Sequence, residues 1–227
     1  MTVFFDLDDT LYDRSAPFFA AAEEYYGGKV TDLRQAYRAC MFRGSEVYLP
    51  SQHGEISMDE MAIYRWGRGF ADVGMEMTAA EALEFNDIYN LKKDCISLSP
   101  VMEDLLRCCA ENAGIITNGP SDKQWNKIHR LGLERFMERD LLIVSGDVGI
   151  DKPDTGIFHI AEERCGAMPK ELLYVGDSIE NDVAPASQCG WRTVWFNRNA
   201  HSNHTDISPD ITVATESELA AVIRMQF

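Results

Sequence analysis

The sequence predicts an α/β fold, a parallel sheet covered on both faces by helices, with an α-helical bundle inserted after the first strand. Three observations predict it. Short apolar runs of strand length alternate with helical patterns of about ten to fifteen residues, the order that builds parallel sheets. Residues Arg14 to Lys93 interrupt that order with helical periodicity and almost no strand signal. Each strand-like run stops at a polar, turn-forming group. The expected division is a core domain of residues 1–13 and 94–227 and a helical domain of residues 14–93.

The first strand lies in Val3-Phe4-Phe5 and ends in Asp6-Leu7-Asp8-Asp9-Thr10-Leu11. In the insert, Phe18, Ala22 and Tyr25 share one helix face, and Leu33, Tyr37 and Met41 share another after Thr31 as N-cap. Gly44 to Gly54, with Pro50, reads as a break between the second and third helices. Ser57 with Glu60 and Thr78 with Glu81 form two capping boxes and open the next two helices.

From Ser99 the pattern changes. Ser99-Pro100 opens a helix through Leu105, Leu106 and Cys109, and Gly114-Ile115-Ile116 is the second strand. A helix from Ser121, with Trp125, Ile128 and Leu131 as its apolar face, stops at Gly132. Leu141–Val144 and Leu172–Val175 are the third and fourth strands, separated by a helix over Thr155–Cys165. A helix then runs to Cys189, and Thr193–Phe196 is the fifth strand. Ile211–Val213 and Glu216–Met225 suit a last strand and a last helix.

Lys plus Arg total 21 against 37 Asp plus Glu, a net charge of -16. That balance argues against a nucleic acid polymer, which needs basic stripes, and against anionic membrane surfaces. It permits a small phosphorylated metabolite, because a metal ion, one lysine and helix N-termini can make a site locally positive. Six cysteines without a Cys-x-x-Cys pair or zinc-like spacing read as reduced thiols of a cytoplasmic protein. No basic and apolar leader precedes the first strand, which predicts no secretory signal.

In an open parallel sheet the C-terminal strand ends share one edge, where ligands bind. Asp6 and Asp8 follow the first strand, Thr117 and Asn118 the second, Lys152 the third, and Asp177 and Asp182 the fourth. In extended chain Asp6 and Asp8 point to one side roughly 7 Å apart, a gap that suits a cation or phosphoryl group. Their repulsion calls for a metal ion or for one carboxyl kept protonated.

Four segments carry a resemblance. They are Asp6-Leu7-Asp8-Asp9-Thr10-Leu11, Ile115-Ile116-Thr117-Asn118-Gly119, Val148-Gly149-Ile150-Asp151-Lys152-Pro153-Asp154 and Gly176-Asp177-Ser178-Ile179-Glu180-Asn181-Asp182. In order and spacing they resemble the four motifs of the haloacid dehalogenase (HAD) superfamily of hydrolases. The insert is similar to the cap of its C1-type members, and the layout looks most like the phosphatase and nucleotidase-like branch. The resemblance implies a Rossmann-like core, Asp6 as a nucleophile that becomes an aspartyl-phosphate, and Mg²⁺ as the required ion. Asp6, Asp177 and the backbone carbonyl of Asp8 would then hold the metal. Thr117, the backbone at Asn118 and Gly119, and Lys152 would hold phosphate oxygens, with Asp182 orienting the metal waters or Lys152.

Asp8 decides the expected reaction. An alkoxide leaving group needs a proton and the attacking water must lose one, and a second carboxyl can do both. Halide displacement needs neither. The leading expectation is therefore hydrolysis of a small phosphomonoester, a nucleoside 5′-monophosphate or a sugar phosphate. Two alternatives stay open: a phosphomutase of the β-phosphoglucomutase type, and a non-catalytic module that binds a phosphometabolite. Arg43 is the residue of the insert assigned to face the substrate.

Overall fold

The structure is a computed structural model that describes residues 1–93 and 95–226. Asp94 and Phe227, both assigned to the core from sequence, lie outside the described residues. Two compact units divide the chain, one of Met1–Asp13 with Ser97–Phe227 and one of Arg14–Ile96.

The first unit opens with β1 (Thr2–Phe5), and the second contains α1 (Ala16–Tyr26), α2 (Leu33–Glu46), α3 (Tyr48–Gln52), α4 (Met58–Ala71) and α5 (Ala79–Lys92). The first unit resumes with α6 (Pro100–Cys109), β2 (Ala113–Thr117), α7 (Ser121–Leu131), β3 (Leu142–Val144), α8 (Ser145–Val148) and α9 (Gly156–Cys165). It ends with β4 (Leu172–Gly176), a π-helical turn (Ile179–Val183), α10 (Ala184–Gln188), β5 (Arg192–Phe196), β6 (Ile211–Val213) and α11 (Glu216–Arg224).

All six strands are parallel, in the order β3-β2-β1-β4-β5-β6. The fold is α/β and Rossmann-like, and the short run at Ile211–Val213 completes its edge. Apolar runs make this possible: β2 and β4 are buried along their whole length, as strands covered on both faces must be. Phe4, Ile116, Ile143, Phe158, Tyr174 and Trp191 pack into one cluster.

Topology places the site. Strands two and three are laid on one side of β1, and β4 returns to its other side, so the order reverses between β1 and β4. Phe5 is in register with Ile115 on one neighbour and Val175 on the other. Residues just beyond Phe5, Thr117 and Gly176 therefore leave the sheet at one edge.

The helical unit is built around rings. Phe18, Trp66, Phe70 and Phe85 are fully buried, with centroids 4.9–6.0 Å apart where they touch. Both predicted capping boxes form, Ser57 with Glu60 and Thr78 with Glu81. Two expectations fail there, and a third fails in the α/β unit. Asp32, not Thr31, caps α2, its carboxylate accepting the Gln35 N–H at 2.8 Å. The predicted break at Gly44–Gly54 is much shorter: α2 runs through Gly44, and α3 follows after Val47 alone. Pro50 is tolerated because it sits in the first turn of α3, where an N–H has no helical partner to lose. The helix expected to reach Cys189 is instead the π turn followed by five residues of α10.

All six cysteines are free. Among the described residues, no helix is long and apolar enough to cross a membrane.

Candidate active site

Asp6 sits one residue past the central strand, its N–H donating to the Val175 carbonyl at 2.8 Å, so β1 delivers it to the strand-order reversal. Its carboxylate is 7% exposed and accepts a hydrogen bond from Lys152 Nζ at 2.8 Å. Lys152, 4% exposed, also donates to Asp182 Oδ1 at 2.6 Å and to the Tyr174 hydroxyl at 2.8 Å. Three acceptors match three N–H bonds. Lys152, expected at phosphate oxygens, has its donors on the protein in this structure, because a buried ammonium needs its charge matched and two carboxylates supply the match. Burial opposes the charge on Lys152, but Asp182 and Asp6 raise its pKa well above the usual value.

The lysine is held from both ends. Asn118 clamps its backbone, with Nδ2 donating to the Lys152 carbonyl and Oδ1 accepting the Lys152 N–H, both at 2.8 Å. Asp182 is 1% exposed, and its other oxygen accepts the Ser178 N–H at 3.0 Å. Two local features bring Asp182 inward. The π turn shifts its phase from the surface position that a plain helix would give it. Gly176 leaves the room, since a Cβ there would meet the Asp182 carboxylate at 2.4 Å.

Carboxylate oxygens of Asp6, Asp177 and Asp182 lie within 4.8 Å of one another. Burial, with Asp6 and Asp182 as neighbouring charges, pushes the Asp177 carboxyl up to about 8. Asp6 is pushed up to about 7 by burial, with Lys152 pulling against it and Asp182 adding to it. Such acids resist ionising together unless a cation joins them. The donor set is all oxygen, which suits a hard divalent ion such as Mg²⁺. Because Asp182 already accepts from Lys152 and Ser178, Asp6 and Asp177 are the carboxylates best placed to hold it.

Asp8 departs from the sequence expectation. Among the described residues, the carboxylates that cluster with Asp6 are those of Asp177 and Asp182. Lys127 Nζ reaches both oxygens of Asp8, at 2.8 and 2.6 Å, Tyr12 donates its hydroxyl to Oδ1, and Gln124 Nε2 lies 3.4 Å from Oδ2. The strand has already ended at Phe5, and Asp9 takes a left-handed backbone conformation, φ 62°, so the chain turns sharply after Asp8. Any share of Asp8 in a metal site is left to its carbonyl.

Thr117 is buried at the end of β2, with 1% exposure. Gly119 follows in a conformation, φ 140°, that side chains avoid, and a Cβ there would meet Gln124 at 2.6 Å. Its N–H, expected at a phosphate, donates instead to Ser145 Oγ at 2.9 Å, because the turn aims it into the protein. Arg43 is engaged within the helical unit. Its guanidinium forks onto Asp72 at 2.7 and 3.0 Å and reaches Glu46 at 3.1 Å. The assignment of Arg43 to substrate thus loses its free guanidinium.

Sequence reasoning missed Gln124, Lys127, Tyr174 and Tyr12. A signal existed for the first. Gln124, Ile128 and Leu131 are the buried face of α7, and a glutamine in an apolar stripe marks an internal partner. Trp125, which the sequence put on that face, is only half-buried and donates its Nε1–H to Asp147.

Comparison with known proteins agrees with this geometry. The family profile described as haloacid dehalogenase-like hydrolase matches residues 1–190. The chain belongs to that family. This HAD-like hydrolase is 30% identical over 239 residues to a glyceraldehyde 3-phosphate phosphatase of Methanopyrus kandleri, covering 98% of this chain and 96% of that one. It is 28% identical to the pyrimidine 5′-nucleotidase YjjG of Escherichia coli, covering 97% and 96%. Among solved structures it resembles the putative HAD-hydrolase YfnB of Bacillus subtilis, itself bound to magnesium. The TM-score is 0.65 at 23% identity, with 98% and 97% covered. At that identity the last likeness speaks for the fold.

Proposed function

We propose that this HAD-like hydrolase is a Mg²⁺-dependent phosphatase that hydrolyses a small phosphomonoester through an aspartyl-phosphate on Asp6. One observation carries the reading: two carboxylates two residues apart are held by separate partners. Asp6 lies beside Lys152 and Asp177. Asp8 is paired with Lys127. Separate partners suit separate tasks, nucleophile and acid–base group. The names of the two curated relatives support phosphate esters as the substrate class.

In the first half-reaction an oxygen of Asp6 attacks phosphorus, the P–O bond to the organic group breaks, and Asp8 gives its proton to the departing oxygen. In the second, Asp8 takes a proton from water as that water's oxygen bonds to phosphorus and the bond to Asp6 breaks. Bound Mg²⁺, held by Asp6 and Asp177, would offset the repulsion between carboxylate and phosphate. Lys152 favours the charged form of Asp6 against its burial, and Asp182 and Asn118 keep Lys152 there. Thr117, at the end of the adjacent strand, is the remaining hydroxyl for a phosphate oxygen.

Candidate substrates are a nucleoside 5′-monophosphate and a triose or other sugar phosphate. We assign the choice among them to the helical unit, as the sequence suggests. Purified protein should release inorganic phosphate from p-nitrophenyl phosphate with Mg²⁺ and not with EDTA. Asp6→Asn should reduce turnover by about a thousandfold or more in a protein that stays folded by circular dichroism. Full activity in that variant would remove the mechanism. Transfer to a bisphosphate without phosphate release would favour the phosphomutase.

A further inference from the structure

Lys127 lies outside the four motif segments, in the second turn of α7. It nonetheless forms a two-point ion pair with the carboxylate next in importance to Asp6. Both side chains are mostly withdrawn from solvent, with exposures of 28% for Lys127 and 19% for Asp8. Three side chains converge on that carboxylate: Lys127 and Gln124 from α7, and Tyr12 from the turn after β1. Gln124 is itself 4% exposed and is anchored through Nε2 on the Asn118 carbonyl. A surface ion pair is worth little and holds nothing in place. A partly buried carboxylate with both oxygens engaged by one ammonium, backed by a buried amide, is fixed in position and direction.

We propose that Lys127 is a positioning residue for proton transfer by Asp8, with Gln124 as its support. The inference rests on the reading of Asp8 as the acid–base group. Physical reasoning gives the pair its purpose. A carboxylate on the short turn beside Asp6 and Asp177 would otherwise be drawn toward any cation they hold. Lys127 gives it a competing positive charge. Asp8 is thereby kept for the leaving oxygen, while Asp6 and Asp177 are left to the metal. A proton donor misplaced by about 1 Å can cost a hundredfold in rate, so the anchoring has a kinetic consequence as well as a structural one.

The test uses leaving groups of different basicity. Nitrophenolate departs readily without a proton, whereas phenolate gains much more from one. We compare kcat/KM, which reports the first half-reaction, for p-nitrophenyl phosphate and phenyl phosphate in the wild type, Lys127→Met, Lys127→Arg and Asp8→Asn. In Lys127→Met the loss on phenyl phosphate should exceed that on p-nitrophenyl phosphate by about tenfold. Lys127→Arg should restore most of the difference. The double variant Asp8→Asn/Lys127→Met should be no more selective than Asp8→Asn alone, since one residue acts through the other.

Equal losses on both substrates, with a lowered melting temperature, would reduce Lys127 to a structural tie and overturn the proposal. So would no loss on either. If Lys127→Met does not fold, Lys127→Gln takes its place in the same comparison. Wild-type hydrolysis that survives Asp6→Asn would overturn the underlying mechanism and this inference with it. Asp6-dependent hydrolysis with parallel losses would overturn this inference alone.

Discussion

The two units of this chain treat charge in opposite ways. In the helical unit the buried cluster is made of rings and small apolar side chains. Arg43 with Asp72 and Lys92 with Glu24 are solvent-facing pairs. In the α/β unit a lysine, two aspartates and a tyrosine hydroxyl are buried together at the end of the central strand. The first arrangement follows from folding alone. The second runs against it, since burying charges costs more than most pairs return. Where a fold accepts that cost at one place and avoids it elsewhere, the place has a task.

Breaking the buried group should have the largest effect. Lys152→Met leaves Asp6 and Asp182 buried without their ammonium, and should destabilise the protein by about 3–5 kcal/mol in urea denaturation. A loss near zero would mean that water reaches these carboxylates and that the contrast between the units is false.

A middle-sized effect concerns pH and metal. Asp6 and Asp177 have carboxyls raised from 3.8 to about 7 and about 8. Between pH 4 and pH 8 the folded state therefore binds more protons than the unfolded chain, and metal-free stability falls as pH rises through that window. With EDTA the melting temperature should be higher at pH 5 than at pH 8.5. Mg²⁺ should reverse the decline, adding about 2–3 kcal/mol at pH 8.5 for ion at a hundredfold excess over Kd, and much less at pH 5. A stability independent of pH in EDTA would show that these two acids are not strained.

The smallest effect belongs to the helical unit. Arg43→Ala removes an exposed fork onto Asp72 and should leave the urea midpoint unchanged within error, because water and salt screen such pairs. A clear loss would place Arg43 among the groups that hold the unit together.

Much of this was legible in the chain because it is local or periodic. Strand-length apolar runs placed five strands and offered the sixth. Ser57 with Glu60 and Thr78 with Glu81 announced two helices, since a cap needs only its own first turn. Parallel order then implied that Asp6, Thr117, Lys152 and Asp177 share a sheet edge. Local rules misled where two residues competed for one role. Asp32 took the cap from Thr31, and Gln124 took the buried face from Trp125.

Sequence by itself determined the α/β alternation, the helical insert, and which residue types meet at the end of the first strand. Those follow from spacing and chain direction, which need no partner from afar. Only tertiary structure decided which carboxylate faces which ammonium: Lys152 to Asp6 and Asp182, Lys127 to Asp8, Arg43 to Asp72. With that choice go a left-handed turn at Asp9, a π-helical turn that contains Asp182 and the missing side chain of Gly176. Each moves a charge by a few ångströms, a distance over which the interaction of buried groups changes greatly and sequence spacing says nothing.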